Sequence, residues 1–250
     1  MKTLLEHRTV RRYSEREIEE PILLQILTAA IRGSTTGNIQ PYSIIITRDA
    51  EMKAKIAPFH FDQKPVLEAP LILTFCVDFN RFIQWCRQRN TDFDGFNNMQ
   101  CFTWGVIDAV IATQNACIAA ESFGLGICYL GTVTYNAKEL GEIYQLPKHV
   151  VPVTCITVGY PAENPPLTDR LPLDAVIHQE VYRNYSSDNI ADFYAEKENS
   201  DMTKRLLEEN QLENLAQIFT QKRYTKTDNE YFAKRFMDFV NEQHFLIENS

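Results

Sequence analysis

A chain of 250 residues suits one domain, or one domain with appendages, and is long enough to bury a sizeable core without disulfide or metal staples. Its formal net charge of -8 excludes the basic footprint of a nucleic-acid binder and has the wrong sign for electrostatic attachment to an anionic membrane. No apolar run is read as reaching the ~20 residues of a bilayer crossing, and the opening MKTLLEHRTVRRYSERE is charged too early for a signal peptide, so a cytoplasmic protein is expected.

The chain opens with a cationic knot, His7-Arg8-Thr9-Val10-Arg11-Arg12. Guanidinium forks match phosphate oxygens, and a dense basic cluster in an acidic chain calls for an anion. Taken alone, the segment reads equally as a solvated basic turn. A helix is expected over Ser14–Arg32, with Ser14 and Glu17 as a capping box and Gly33 just past its end. The stretch Gly33–Thr47, GSTTGNIQPYSIIIT, passes from small hydroxyl residues into a strand, and Asn38 and Gln40 offer both donors and acceptors. On its own it is an ordinary helix-to-strand connection.

Strands are expected at Tyr42–Thr47, Leu71–Val77 and Val150–Gly159, each with little polar alternation and therefore buried on both faces. Between the last two, Trp104–Phe123 reads as a long, central helix closed by Gly124 in a left-handed cap. Its polar residues fall in register: Asp108, Asn115 and Ser122 every seven positions, with Gln114 and Glu121 alongside. They read first as internal hydrogen bonds or caps, and alternatively as a helix–helix dimer seam. The glycines of Gly124–Asn136, GLGICYLGTVTYN, lack the G-x-G-x-x-G spacing of a dinucleotide fold. Gly131 there suits close approach of a planar ring to the backbone. The six cysteines form no C-x-x-C pair and read as buried free thiols. After Pro161 a proline-rich loop leads to charged helices near Asp188–Glu198, Lys204–Phe219 and Asp228–Gln243. These form either a small separate domain or an arm over a partner subunit. The expected division is 1–185 as core and 186–250 as helical extension. Mixed helices and strands give an α+β class.

Five motifs occur in order: HRTVR, TTGNIQP, CVDFNR, AAESFGLGICYLG and GYPAENPPLTDRLP. Together they resemble the nitroreductase and flavin reductase family, in its branch of oxygen-insensitive major NADPH nitroreductases and flavin reductase P, from about His7 to His178. The resemblance implies a central mixed or antiparallel sheet flanked by helices, an entwined homodimer, and one FMN in each of two interfacial sites. It places His7, Arg8, Thr9 and Arg11 on the FMN phosphate and ribityl chain, with Arg170 as a second phosphate arginine. Thr35 and Gln40 take flavin or ribityl positions, Gln63 the pyrimidine edge, and Tyr129, Leu130, Gly131 and Thr132 the loop beside the ring. The family often has a lysine where this chain has Thr168, which removes one cation, and Arg12 is an extra one.

The implied activity passes electrons from NADPH or NADH to small nitroaromatics, quinones or flavins by a ping-pong mechanism, the flavin carrying the chemistry without a side-chain nucleophile or metal. Lys222, Arg223, Lys234 and Arg235 are candidates for the nicotinamide donor's phosphates, against the plainer reading of a solvated helix face. Two rival functions stay open: a specialised flavin reductase or dehydrogenase of the same family, and a flavin-binding or regulatory protein with little turnover.

Overall fold

The computed structural model describes residues 1–245. In chain order the elements are α1 (Lys2–Leu5), α2 (Glu20–Ala30), β1 (Tyr42–Thr47), α3 (Ala50–Ile56), α4 (Lys64–Glu68), β2 (Leu71–Asp78), α5 (Asn80–Gln88), α6 (Met99–Ser122), β3 (Gly126–Leu130), α7 (Ala137–Ile143), β4 (Val150–Gly159), α8 (Ser187–Asn199), α9 (Asp201–Asn210), α10 (Leu215–Ile218) and α11 (Lys226–Glu242). The expected α+β class holds. The four strands form one antiparallel sheet in the order β1-β2-β4-β3.

β2 is central and buried along its whole length, as its unbroken apolar run requires. β4, its other central neighbour, tolerates Pro152 because the register slips opposite Phe75 and Cys76, so the missing N–H falls at a bulge. β1 is an edge strand, and Ile46 lies exposed, so its expected burial on both faces is corrected. β3 was not expected as a strand. It is only five residues long and lies between glycines, too short for a periodic signal to stand out.

Helix α2 begins at Glu20 and not at Ser14. Pro21 has no N–H to donate and its ring would clash with the preceding turn, so it fits only at the start of a helix. Ser14 instead donates its N–H to the Tyr160 carbonyl. α6 starts five residues earlier than expected, at Met99, where the Asn98 side chain accepts from Cys101 N–H. Gly124 closes it at φ +76, a conformation that L side chains rarely adopt. By length and composition this 24-residue helix is apolar enough to cross a membrane, which corrects the expectation that no run reaches that length. It is instead a core helix: Ala109, Ala112, Ala116 and Ala120 pack with Leu71, Leu73, Phe75 and Ile156 of the sheet. The six cysteines are free and buried.

The described chain forms two compact units, one of Met1–Pro166 with the chain from Phe232 onward, the other Leu167–Tyr231. The expected division at 185 coincides with neither boundary. In the first unit, Phe239, Val240 and Phe245 fill a core with Phe79, Ile83 and Phe102. In the second, a Ser186–Asn189 capping box starts α8, and Lys197 pairs with Asp169 at 2.6 Å. The helix expected over Lys204–Phe219 is broken at Gln211, which takes a left-handed φ of 55. The chain restarts at α10, capped by Asn214.

Candidate functional site

The basic segment extends the sheet beyond β3. Thr9 bridges in parallel to Ile127, and Val10 N–H donates to the Ile127 carbonyl at 2.9 Å. Tyr13 locks the end of the segment, its hydroxyl donating to the Val10 carbonyl at 2.8 Å and lying 2.7 Å from the Thr157 hydroxyl. Burial raises that phenol far above its ordinary range, so it stays a neutral donor. The Arg11 and Arg12 amides both donate to Glu163 Oε1, at 2.6 and 3.1 Å. Glu163 thereby fixes the backbone while both guanidinium side chains remain exposed. Arg11 lies near enough to Cys128 of β3 to oppose the upward push of burial on that thiol.

The fit of Val10 over β3 depends on Gly126. A Cβ there would stand 2.6 Å from the Val10 side chain. Gly126→Ala is expected to displace the basic segment and cost about 1–3 kcal/mol, seen as a lowered Tm. A Tm equal to that of the parent would contradict this packing.

His7 and Arg8 line a cleft with Glu121, Gly126 and Glu163. His7 Nδ1 meets Glu121 Oε1 of α6 at 2.5 Å, so this histidine is held by a carboxylate. Among the described residues, Arg8 Nη1 reaches the Glu6 carbonyl at 3.5 Å, and Arg8 Nε is buried with no hydrogen-bond partner. Buried guanidinium N–H groups are rarely left so, and an anion would satisfy this one.

From Ile127 to Gly131 the chain runs about 13 Å along the edge of the sheet. Tyr129 is 38% exposed and its hydroxyl donates to Gln114 of α6 at 3.1 Å, whereas Leu130 points into the core. Gly131 is exposed, and nothing stands within 4 Å of where its Cβ would be, so a ligand can lie against its backbone. Thr132 is buried, its hydroxyl 2.7 Å from His60 Nδ1. Gln63 caps α4 and donates its N–H to the His60 carbonyl at 3.2 Å. Arg8, Gly131, Thr132 and Gln63 therefore follow one edge.

His60 carried no sequence signal; only its tertiary partner makes it notable. Burial lowers its pKa to about 4 from 6.5, and the ring is neutral at ordinary pH. Between those values the unfolded chain binds a proton here that the folded chain does not. Stability is therefore fully retained above pH 6.5 and falls by about 3 kcal/mol as the pH drops to 4. Urea denaturation across this range should show the decline, with a flatter profile for His60→Gln. Equal slopes in the two proteins would contradict it.

Thr35 and Gln40 lie elsewhere. Their loop is tied to α6 by Thr36, whose N–H donates to both Asp108 oxygens at 3.1 and 3.0 Å and whose hydroxyl donates at 3.1 Å. Burial raises the Asp108 pKa, with the Thr36 N–H opposing it. Gln40 lies two residues before β1, and its carbonyl accepts from Arg81. Thr35 Oγ1 is buried without a hydrogen-bond partner among the described residues. Asp108 and Glu121 stand about 20 Å apart along the α6 axis. β1 and β3 are opposite sheet edges, about 14 Å apart across three strand spacings. Within one chain, then, the residues of Thr35–Gln40 do not join those of Arg8–Thr132.

Arg170 belongs to the second unit, where its Nη1 donates to the Thr168 hydroxyl and the Asp169 carbonyl, each at 2.9 Å. The residue in place of a lysine thus holds the arginine. Of the donor-phosphate candidates, Lys234 pairs with Asp238 at 2.6 Å and Arg235 with Glu139 of α7, so both carry carboxylate partners. Arg223 lies over the Phe219 ring. Lys222 lies in the wide helical turn Phe219–Arg223, one residue before its end. The polar line on α6 also proves internal: Asn115 donates to the Ala29 carbonyl and Ser122 to Ala119. An apolar stripe occupies the exposed face instead, with Met99 46%, Ile107 49% and Val110 45% exposed.

Fold and clusters define an α+β protein that presents cations, an open glycine and amide groups along one sheet edge. Residues 4–160 match the Nitroreductase family, and the chain belongs to that family. It is 36% identical over 189 residues to the FMN reductase (NAD(P)H) of Bacillus subtilis (strain 168), covering 74% of each chain. It is 34% identical over 177 residues to the oxygen-insensitive NADPH nitroreductase of Salmonella typhimurium, covering 71% of this chain and 72% of that one. A solved structure from Bacteroides fragilis NCTC 9343 superposes with a TM-score of 0.97 at 43% identity, over 99% of this chain and 100% of that one.

Proposed function

We propose that the chain is a cytoplasmic NAD(P)H-dependent FMN oxidoreductase acting as a homodimer, with each flavin held between two protomers. The observation that carries the reading is a pair of half-sites on opposite sheet edges, each with a buried polar atom left unpartnered, Arg8 Nε and Thr35 Oγ1. Neither half encloses a ligand, but a two-fold axis brings the first half of one chain to the second half of another. The exposed apolar face of α6 supports such an axis, since Met99, Ile107 and Val110 recur at helical spacing and are each about half exposed. Six reduced, buried thiols suit the cytoplasm. The curated relatives' names, an FMN reductase and an NADPH nitroreductase, support the activity.

The residues present fit FMN. Arg8 and Arg11 would take the phosphate, and Thr9 the ribityl chain. Gly131 leaves its backbone open to the ring, and Gln63 offers an amide to the pyrimidine edge. The His60–Thr132 contact holds that turn in place. Thr35 and Gln40 of the partner subunit would complete the enclosure. Bound FMN supplies the electron-transfer chemistry, and the protein supplies binding, orientation and local charge. Donor and acceptor would bind at this one site in turn.

Steady-state assay tests this. Purified protein should be yellow and should oxidise NADPH with a nitrofuran or a quinone. Double-reciprocal plots at several acceptor concentrations should be parallel, as for two half-reactions in one place. Colourless protein with no oxidation above the free-FMN background would overturn the reading.

A further inference from the structure

Next to His60 the backbone does something unusual. Phe61 adopts φ 55 and ψ 38 and Asp62 φ 50, two consecutive non-glycine residues in the left-handed region. Phe61 N–H donates to the Pro58 carbonyl at 3.1 Å and Asp62 N–H to that of Ala57 at 2.9 Å, which fixes the turn. The result is a phenyl ring held outward and 53% exposed. It does not stand alone. The rings of Tyr135 and Phe232 are stacked at 4.4 Å and 17°, and Phe61 meets Phe232 at 6.2 Å edge-on and Tyr135 at 6.3 Å.

The trio is anchored to the site already described. Phe61 follows His60, whose ring holds Thr132, and Tyr135 donates its N–H to the Thr132 carbonyl at 3.1 Å. Charge around it is balanced. On α11, Lys234 and Arg235 are paired with Asp238 and Glu139, and beside Phe61 the chain carries one acidic and one basic residue, Asp62 and Lys64. An exposed π surface without surplus charge suits an uncharged ring and does not suit a nucleotide diphosphate.

We infer that Phe61, with Tyr135 and Phe232 behind it, is a stacking platform for the ring of a planar, uncharged aromatic acceptor such as a quinone or nitroaromatic. This deepens the proposed function and rests on it. Phe61 is the specificity-determining residue, because its ring is the member presented to a ligand.

The test compares holoenzyme with Phe61→Ala and Phe61→Trp, using NADPH with menadione and, separately, with ferricyanide, which has no ring to stack. Phe61→Ala is expected to raise the KM for menadione about ten-fold, and Phe61→Trp to restore it. The KM for ferricyanide should move by less than about two-fold. Menadione binding measured by calorimetry should weaken by the same factor as the KM rises, and this readout does not need turnover. An unchanged menadione KM and affinity in Phe61→Ala would overturn the platform. So would an equal loss with both acceptors, which marks a packing role, or a rise in the KM for NADPH alone, which marks a donor site. Failure of the underlying function would show differently, as wild-type protein without flavin or without NADPH oxidation.

Discussion

Replacing Arg8 and Arg11 together by alanine is expected to weaken FMN binding at least about 100-fold. A phosphate dianion is costly to remove from water unless guanidinium donors meet it, and each charge-assisted hydrogen bond contributes about 1.5–3 kcal/mol. Arg8 Nε is already buried and unpartnered, so its desolvation cost is present before any ligand arrives. Arg11 lies beside the same strand edge with its side chain exposed. Fold should survive, because the backbone of the segment is held by Ile127, Glu163 and Tyr13 and not by the guanidinium groups. Flavin fluorescence quenching on titration reads the affinity directly, and circular dichroism checks the fold. Parent-like affinity in the double variant would remove the phosphate assignment.

The second large effect belongs to the outer face of α6. Ile107→Glu with Val110→Glu places two carboxylates where apolar side chains are about half exposed in the single chain. In an isolated protomer such changes are nearly neutral, because neither residue is buried. At a packed two-fold seam they would bury four like charges, at a cost of several kcal/mol per unpaired ion. The expected result is a monomer by sedimentation velocity, with helical circular dichroism intact and bound flavin lost. A dimer that keeps its flavin would show that this face is not the seam.

Much of this framework was legible in the chain, and the failures have physical causes. β1, β2 and β4 were visible because unbroken β-rich runs bounded by turn residues have few other uses. α6 was visible in its middle but not at its start, where one asparagine cap decides the first turn. The Ser14–Glu17 capping pattern lost to Pro21, whose ring geometry overrides a cap several residues upstream. β3 was concealed by its glycines, yet it is the strand that aligns the basic segment with Gly131 and Thr132.

Among the site residues, the anion-seeking chemistry of Arg8, Arg11 and Arg12 could be read from composition alone, since three cations in an acidic chain demand an explanation. The roles proposed for Thr35, Gln40 and Gln63 could not. Their side chains are common in loops, and only family resemblance singled them out. His60 escaped because its part is defined by a partner 72 positions away in the chain. In the sequence Lys234 and Arg235 could not be told apart from a solvated helix face, and only the fold shows their carboxylate partners on α11 and α7. Sequence also gave no hint that the two halves of the expected site occupy opposite sheet edges, because strand order is a property of the folded chain.

Subunit complementation puts the shared site to its sharpest test. One chain would carry Arg8→Ala and Arg11→Ala, the other Thr35→Val and Gln40→Ala, and the two would be co-expressed with different tags. Each homodimer lacks half of every site, whereas the mixed dimer keeps one intact pair of halves. The expected result is flavin recovered in the mixed dimer alone, at one molecule per pair of chains. A mixed dimer as empty as its parents would mean that each chain builds its site by itself.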